Sequence, residues 1–549
     1  MSLVSEILRK AEELPEKPAF IFIGADFART VLTFAEVSCL GKKYAAVLRR
    51  NGIETGDVVC NTLANSAERL ITQVGTLMAG AVDMNGQICL PDGADFLNSL
   101  NDGRAKAVLY DPCEKKGAYD ILKGRVKIEC NNKQDNIKIS CPDVPSLQLM
   151  IPCVINGKGA GNSLLEELKL QKESLAVDNG PSFESTFLCT SGSTGFFKLV
   201  SFTSQGSLDF GHRFAQALRV TKESVLLNDR RFGKLSGYPS VTFAVGCTRV
   251  IIDSSVPQFK ICARFFWDVI QREKCTVTLV GDVLLHKLIE ETSGDLHREK
   301  RLLKSISVAG NPINKSILKA IGTVSETVNV FYASTETSIL TACLLTSPNE
   351  EFDDFVAGWP MPGVQLKVVD NLMHELPVGH IGEILVKSSL LCSGYINNTK
   401  ANADTFLSNG WVRLGDKGFF NSKGQICVLG RGKNAIMHGD IVVYPEQLEF
   451  RIERCPGVAG TAITGIPDVK RYEEICALLV RQPGVEAVTE EQVRQFCSKY
   501  LSSNDSNVKF NALPKYYKFV DALPLLPSGK LDRAACKRLA AELVCRNDC

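Results

Sequence analysis

TSGSTGFFK, from Thr190 to Lys198, is the stretch on which the reading of the fold turns. In its first six positions, Thr190, Ser191, Gly192, Ser193, Thr194 and Gly195, two glycines and four hydroxyl residues build a turn. The backbone amides and hydroxyls of such a turn converge on an anion, and Lys198 adds positive charge. It is not a Walker A loop, because Phe196 and Phe197 follow the second glycine where a Lys and a Ser or Thr would stand. A lone stretch of this kind is as often a plain turn, so its neighbours decide its meaning. A second glycine-rich stretch, GKGAG at Gly157 to Gly161, lacks the strand-turn-helix setting of a dinucleotide loop and reads as a simple loop.

Working outward, apolar runs such as AKAVLY (Ala105 to Tyr110), TVTLVG (Thr276 to Gly281) and SISVAG (Ser305 to Gly310) alternate with helical stretches such as FAEVSCLGKKYAAVLRRNG. The alternation predicts an α/β fold of layered sheets. From about Gly358 the texture changes to short strands and turns, GVQLKVVD, GEILVKS, GWVRLGD and KGQICVLG, which predicts a β-rich subdomain. After Arg431 the α/β texture returns, with VTEEQVRQFCSKYLS as an amphipathic helix and YYKFVDALP as a strand running into LLPSGK. A large N-terminal domain over 1–431 and a small, mobile C-terminal α/β domain over 432–549 are expected, joined without a long tether. At 549 residues the chain is too long for one ordinary core.

Lys and Arg number 63 against 61 for Asp and Glu, so no global field draws the chain to nucleic acid or anionic lipid. No window approaches the apolar length of a membrane span. The N-terminal MSLVSEILRKAEELPEKPAF reads as a short amphipathic helix ended by Pro18 rather than a secretory signal, and the terminal NDC is not a peroxisomal signal. A cytoplasmic setting is therefore expected. The 20 cysteines are scattered without CxxC spacing, and Cys130, Cys141 and Cys153 have no nearby histidine pair. They read as reduced thiols rather than a metal cluster.

The set of motifs resembles the adenylate-forming superfamily of acyl-CoA synthetases, adenylation domains and beetle luciferases, in the family's order from about residue 18 to 540. TSGSTGFFK resembles its phosphate loop, AGNPI (Ala309 to Ile313) its adenine-side turn, and YASTET (Tyr332 to Thr337) its signature segment. GWVRLGD ending at Asp416 resembles the ribose-binding segment and GRGKNAI from Gly430 the interdomain hinge. HGDIVVYPEQLE resembles the loop after that hinge, and LPSGKLDR the motif with a mobile catalytic lysine. LTFAEV at Leu32 and MAGAV at Met78 resemble the amino-terminal half.

What the resemblance implies can be set against the chemistry. A carboxylate oxygen must attack the α-phosphorus of ATP while negative charge builds there and on departing pyrophosphate, so cations and backbone donors belong around both. Lys530 is implied for the α-phosphate, entering from the small domain. Thr190 to Gly195 with Lys198 are implied for the departing phosphates. Glu336 is implied as the Mg2+ ligand, since a hard divalent ion takes carboxylate and phosphate oxygens, with the Thr335 hydroxyl beside the phosphate. Gly310, Asn311 and Pro312 would border the adenine with Tyr332 over its face, Ala333 and Ser334 would line the nucleotide site with Ala333 adding bulk beside the acyl pocket, Asp416 would accept from the ribose hydroxyls, and Arg431 would reach the ribose and phosphate edge. Lys433 stands at the implied pivot, and the Gly439 loop would line a tunnel for the thiol of coenzyme A.

Several positions depart from the family pattern. Ala333 replaces a usual glycine, Leu414 a usual Thr or Ser, and Phe197 stands where Pro is common. DRRFGKLSGYPS (Asp229 to Ser240), where the family often places a histidine or aromatic gate, carries Arg230 and Arg231 with Phe232 next. Burial of an arginine there would suit an acid with a second carboxylate, whereas exposure would carry no meaning. The reading is an acyl-CoA synthetase acting on a small carboxylic acid with ATP and coenzyme A. The alternatives are a luciferase-type oxidation of the same adenylate and a nucleotide-binding protein without turnover.

Overall fold

The computed structural model describes the chain apart from residues 91, 132–136, 156–162, 191–196, 258–260, 281–302, 310–320, 322–324, 347–354, 439–440, 469–470, 485–487, 501–512, 527–529 and 546–549. The GKGAG loop, the interior of the phosphate loop, the turn after Ala309 and Gly439 lie outside the described residues. Two compact units form: one from 1–352, 360–364 and 388–408, the other from 353–359, 365–387 and 409–549. The expected boundary position Arg431 falls inside the second unit.

In the first unit, one sheet runs in the order Gly394–Tyr395, Leu199–Thr203, Glu184–Cys189, Val82–Asn85, Val58–Asn61, Ala107–Tyr110, Leu149–Pro152, Ile137–Ser140, Lys127–Asn131. Its centre is parallel and its edges antiparallel. A second set of strands runs Ser338–Leu345, Ser325–Ser334, Leu303–Ala309, Val277–Val280, Val225–Leu227, Thr248–Ile252, Pro18–Ile23, Arg29–Thr33, again parallel at the centre. Val58–Asn61, Ala107–Tyr110 and Thr248–Ile252 are buried along their whole length, as strands covered on both faces must be.

Helices cover these strands because their apolar stripes need a partner. Helix Phe34–Arg50 starts at a capping box, in which Thr33 Oγ1 accepts from the Glu36 amide at 3.2 Å and Glu36 Oε2 from the Thr33 amide at 2.8 Å. It buries Phe34, Val37, Leu40 and Tyr44 against helix Ala67–Met78. The approach is close: a Cβ on Gly75 would lie 2.8 Å from the Tyr44 Cβ. The N-terminal helix runs Leu3–Glu13 and closes at Leu14, whose amide bonds the Lys10 carbonyl. Pro18 does not end it. Pro18 opens strand Pro18–Ile23, an allowed position because a first strand residue can lack a ladder N–H.

In the second unit, the four β segments expected after Gly358 are strands Val364–Val369, Gly382–Ser388, Val412–Phe420 and Ile426–Arg431, neighbours in that order, with Val356–Pro360 beside the last. Another sheet runs Ile441–Val443, Ile436–His438, Tyr472–Arg481, Val458–Asp468, and Tyr516–Phe519 joins Tyr472–Arg481 in parallel. Helices Pro445–Ile452 and Arg533–Cys545 pack on it, and Glu490–Tyr500 contacts Tyr516–Phe519. The cysteines of the described residues with an assigned state are free thiols. Among the described residues no helix is long and apolar enough to cross a membrane.

Candidate active site

The segment expected to bind phosphate joins two paired strands. Strands Glu184–Cys189 and Leu199–Thr203 pair antiparallel, with Leu199 opposite Cys189 and Val200 opposite Leu188. The Thr190 amide then donates to the Lys198 carbonyl at 2.8 Å, which cinches the neck of the loop. Thr190 is buried at that neck, and Ser191 to Gly195 lie outside the described residues. Lys198 leaves the neck half-buried, its Nζ 4.7 Å from the centre of the Tyr395 ring. A cation so placed over an aromatic face gains about 0.5 to 2 kcal/mol, depending on desolvation.

Tyr395 ties that lysine to the signature segment. Strand Gly394–Tyr395 adds to Leu199–Thr203, with Tyr395 opposite Val200. Asn402 clamps it from helix Thr399–Thr405: its Oδ1 accepts from the Tyr395 amide at 2.7 Å and its Nδ2 donates to the Tyr395 carbonyl at 2.8 Å. The Tyr395 hydroxyl donates to Glu336 Oε1 at 2.7 Å. Glu336 sits in the Thr335–Thr337 turn between strands Ser325–Ser334 and Ser338–Leu345, and its carbonyl accepts from the Cys392 amide at 2.9 Å. Burial and the adjacent Glu336 charge push the Tyr395 hydroxyl well above the ordinary phenol range, so it stays a donor. Burial, with Glu336 adding to it, likewise pushes the Cys392 thiol up to about 12.

The Glu336 carboxylate therefore has one oxygen fixed by Tyr395, while among the described residues its Oε2 accepts no hydrogen bond. One carboxylate with a single oxygen fixed by the protein fits a magnesium ion that also takes phosphate and water oxygens, and Thr335 precedes it in the same turn. Tyr332 and Ser334 are half-buried and Ala333 is exposed along the strand leading to this turn. Ser334 and Thr337 hydroxyls share a 2.8 Å hydrogen bond that holds the turn. Gly310, Asn311 and Pro312 lie outside the described residues.

In the second unit, Asp416 and Arg431 face each other across strands Val412–Phe420 and Ile426–Arg431. Arg431 Nε lies 2.8 Å from the buried Asp416 Oδ1, and Arg431 Nη1 donates to the Leu414 carbonyl at 2.5 Å. Lys433 is exposed on the 3-10 turn Gly432–Asn434. Lys530 is exposed, and its carbonyl accepts from the Leu526 amide at 2.7 Å. Three residues on, Arg533 fixes the following helix to Glu449 through Nη1 and Nη2, the latter at 2.8 Å, and reaches Glu446 at 3.2 Å. Glu446 Oε1 also accepts from Asn434 at 3.0 Å, so one carboxylate joins the Lys433 turn to Arg533 at the start of the C-terminal helix.

Phe197 packs among the core around Met84, Phe96 and Leu199, and Lys234 Nζ lies 5.7 Å from its ring centre. The 228–237 loop therefore adjoins the phosphate hairpin. On that loop Arg230 is half-buried, Arg231 exposed and Phe232 fully buried. Tyr395 and Asn402 in the first unit, and Arg533 and Glu446 in the second, hold the predicted site residues of their own unit, although the sequence reading gives them no role. Arg533 and Glu446 stand inside quoted motifs, whereas Tyr395 lies in CSGYINN, which carries no composition signal.

Residues 7–396 match the AMP-binding enzyme family, and residues 447–530 match the AMP-binding enzyme C-terminal domain. The chain belongs to the AMP-binding enzymes. Among relatives of this AMP-binding enzyme is the long-chain-fatty-acid–CoA ligase FadD13 of Mycobacterium tuberculosis, 26% identical over 507 residues and 91% of each chain. The 4-coumarate–CoA ligase 2 of Nicotiana tabacum is 24% identical over 99% of this chain and 95% of its own. Among solved structures, the o-succinylbenzoate coenzyme A synthetase of Bacillus subtilis with ATP and magnesium ion matches at TM-score 0.77 and 22% identity, covering 97% of this chain and 99% of that one. The anthranilate CoA ligase AuaEII with anthranoyl-AMP matches at 0.80 and 19%, covering 100% and 98%. The α/β fold read from the sequence is the fold of these enzymes.

Proposed function

We propose that this AMP-binding enzyme is an AMP-forming acid–CoA ligase. A carboxylate oxygen attacks the α-phosphorus of ATP and the bond to pyrophosphate breaks, giving acyl-AMP. The sulfur of coenzyme A then attacks the acyl carbon, its proton is lost, the bond to AMP breaks, and the thioester forms. The observation that carries this reading is the meeting of Lys198 and Glu336 on Tyr395 at the neck of the phosphate loop. A cation for the departing phosphates and a carboxylate for their counter-ion are thereby held on one side chain. The named relatives are ligases, and no observation favours the oxygen-dependent alternative.

Roles for the residues follow from charge and position. The Thr190 to Gly195 backbone and Lys198 receive the developing charge of pyrophosphate. Glu336 would hold magnesium, which supplies neutralisation of phosphate charge, and the Tyr395 hydrogen bond orients that carboxylate. Thr335 donates its hydroxyl beside the phosphate. Gly310, Asn311 and Pro312 border the adenine with Tyr332 over its face, Ala333 and Ser334 line the nucleotide site, and Asp416 accepts from the ribose with its carboxylate held by Arg431. Lys530 brings charge to the α-phosphate during adenylation. Lys433 marks the pivot of a C-terminal domain over 432–549, and Gly439 the passage for the thiol. A cytoplasmic setting belongs to the proposal and matches the free thiols of the described residues.

Exchange of labelled pyrophosphate into ATP across a panel of carboxylic acids, with and without coenzyme A, tests this. Acid-dependent exchange without coenzyme A, and AMP plus thioester with it, are expected. No exchange with any acid would overturn the reading.

A further inference from the structure

The buried arginine of this site is neither Arg230 nor Arg231. It is Arg249, in the strand Thr248–Ile252, whose residues are all buried and otherwise uncharged. Arg249 is 0% exposed, yet it forms no ion pair with a carboxylate among the described residues. Its donors go instead to backbone carbonyls of one loop: Nε to Asn228 at 3.1 Å, Nη2 to Arg230 at 3.0 Å and Nη1 to Gly237 at 2.5 Å. The guanidinium also lies 4.8 Å from the centre of the Phe232 ring. A buried cation must be satisfied by oxygen atoms, and a planar fork with five fixed donors satisfies itself only if those carbonyls stay where they are.

Other groups close the same loop. Asn65 Nδ2 donates to the Asp229 and Arg230 carbonyls at 3.2 Å each, and its Oδ1 accepts from the Phe232 amide at 3.0 Å. The Tyr238 hydroxyl shares a 2.8 Å hydrogen bond with Thr186, in the strand that leads into the phosphate loop. There is no slack: a Cβ on Gly237 would lie 2.1 Å from the Arg231 carbonyl, and one on Gly233 would lie 1.6 Å from Asn85 Oδ1. Burial lowers the Arg249 guanidinium to about 9, which still leaves it charged at neutral pH.

We infer that Arg249 is a positioning residue for acid selection: it builds the 228–237 loop in advance as a fixed wall on the acid side of the phosphate hairpin. This rests on the ligase reading above, together with the resemblance of the Asp229 to Ser240 stretch to the family's gate segment, which puts the loop beside the acid. Arg249 touches no substrate, and its effect passes through the carbonyls of Asn228, Arg230 and Gly237. The loop then holds Arg230, Phe232 and Lys234 in one arrangement before any acid arrives.

Three variants of the full-length enzyme test this: Arg249→Met, Arg249→Lys, and Gly237→Ala, which displaces the same loop with the arginine intact. In pyrophosphate exchange, Arg249→Met is expected to raise the KM for the acid at least tenfold while the KM for ATP stays within twofold. Arg249→Lys should recover part of that loss, and Gly237→Ala should show the same acid-only pattern. Backbone hydrogen exchange, read without substrates, should rise at least tenfold at the amides of 228–237 in Arg249→Met and stay unchanged in strand Glu184–Cys189. Equal rises in the two KM values, or an unaltered acid KM in folded variants, would overturn the inference while leaving the ligase reading standing. Absence of exchange in the wild type would fault the ligase reading, and the hydrogen-exchange result would still decide whether Arg249 fixes the loop. Should Arg249→Met not fold, Arg249→Lys is read by the same criteria.

Discussion

The phosphate hairpin and the 228–237 loop meet where Lys234 lies over Phe197, but different forces hold them. The hairpin is fixed by its own ladder, by the Thr190–Lys198 backbone bond and by a short edge strand that brings in Tyr395. The 228–237 loop has few ladder partners, and its carbonyls are gathered by side chains from elsewhere in the chain, Arg249 and Asn65. Backbone pairing gives a loop whose shape is insensitive to any one side chain, which suits phosphates common to every substrate. Side-chain gathering makes shape depend on single residues, which suits a wall that differs from one acid to another.

That contrast can be broken most forcefully at Glu336. Glu336→Gln keeps an acceptor for Tyr395 and removes the charge for a divalent ion, so adenylation should fall by roughly 100- to 1000-fold, by the same factor for every acid. Pyrophosphate exchange against magnesium concentration measures this, and a factor that changes from acid to acid would dissolve the division of labour. Tyr395→Phe should lower kcat/KM for ATP about tenfold, near the ~1.5 kcal/mol of a hydrogen bond to a charged group, with the acid KM unmoved. An equal change in the acid KM would count against placing Tyr395 on the phosphate side.

On the other loop, Gly233→Ala forces a methyl against Asn85 and should alter relative acid preference a few-fold with ATP kinetics unchanged. Its overpacking should cost about 1 to 3 kcal/mol in urea unfolding. Preference that stays constant would show that the loop wall does not meet the acid. Thr186→Val has the smallest expected effect on activity, within twofold. It removes the Thr186 partner of the buried Tyr238 hydroxyl and should cost about 1 kcal/mol of stability. A larger loss of activity than of stability would sharpen the link between the two loops.

Much of this architecture is legible without coordinates, because its signals are local. The strands Ala107–Tyr110, Val277–Val280 and Leu303–Ala309 announce themselves as apolar runs, and the capping box at Thr33 and Glu36 marks a helix start. The Asp416–Arg431 pair is also readable, since both residues stand in recognisable motifs that become neighbouring strands. Tyr395 is not, because a two-residue edge strand has no period to detect and its partners Lys198 and Glu336 are remote in sequence. Arg249 left one faint trace: a single arginine inside TRVII, where a fully buried strand has no use for a charge unless carbonyls await it. Pro18 misled because a proline after a helical stretch stops a helix or starts a strand equally well.

The central claim is that one chain makes an adenylate and then a thioester, with Lys530 serving only the first step. Lys530→Ala assayed in both half-reactions tests it most directly. Acid-dependent pyrophosphate exchange should fall by roughly two to three decades, while conversion of supplied acyl-AMP and coenzyme A to thioester stays within a few-fold of wild type. Equal loss of both half-reactions, or full retention of exchange, would contradict the account.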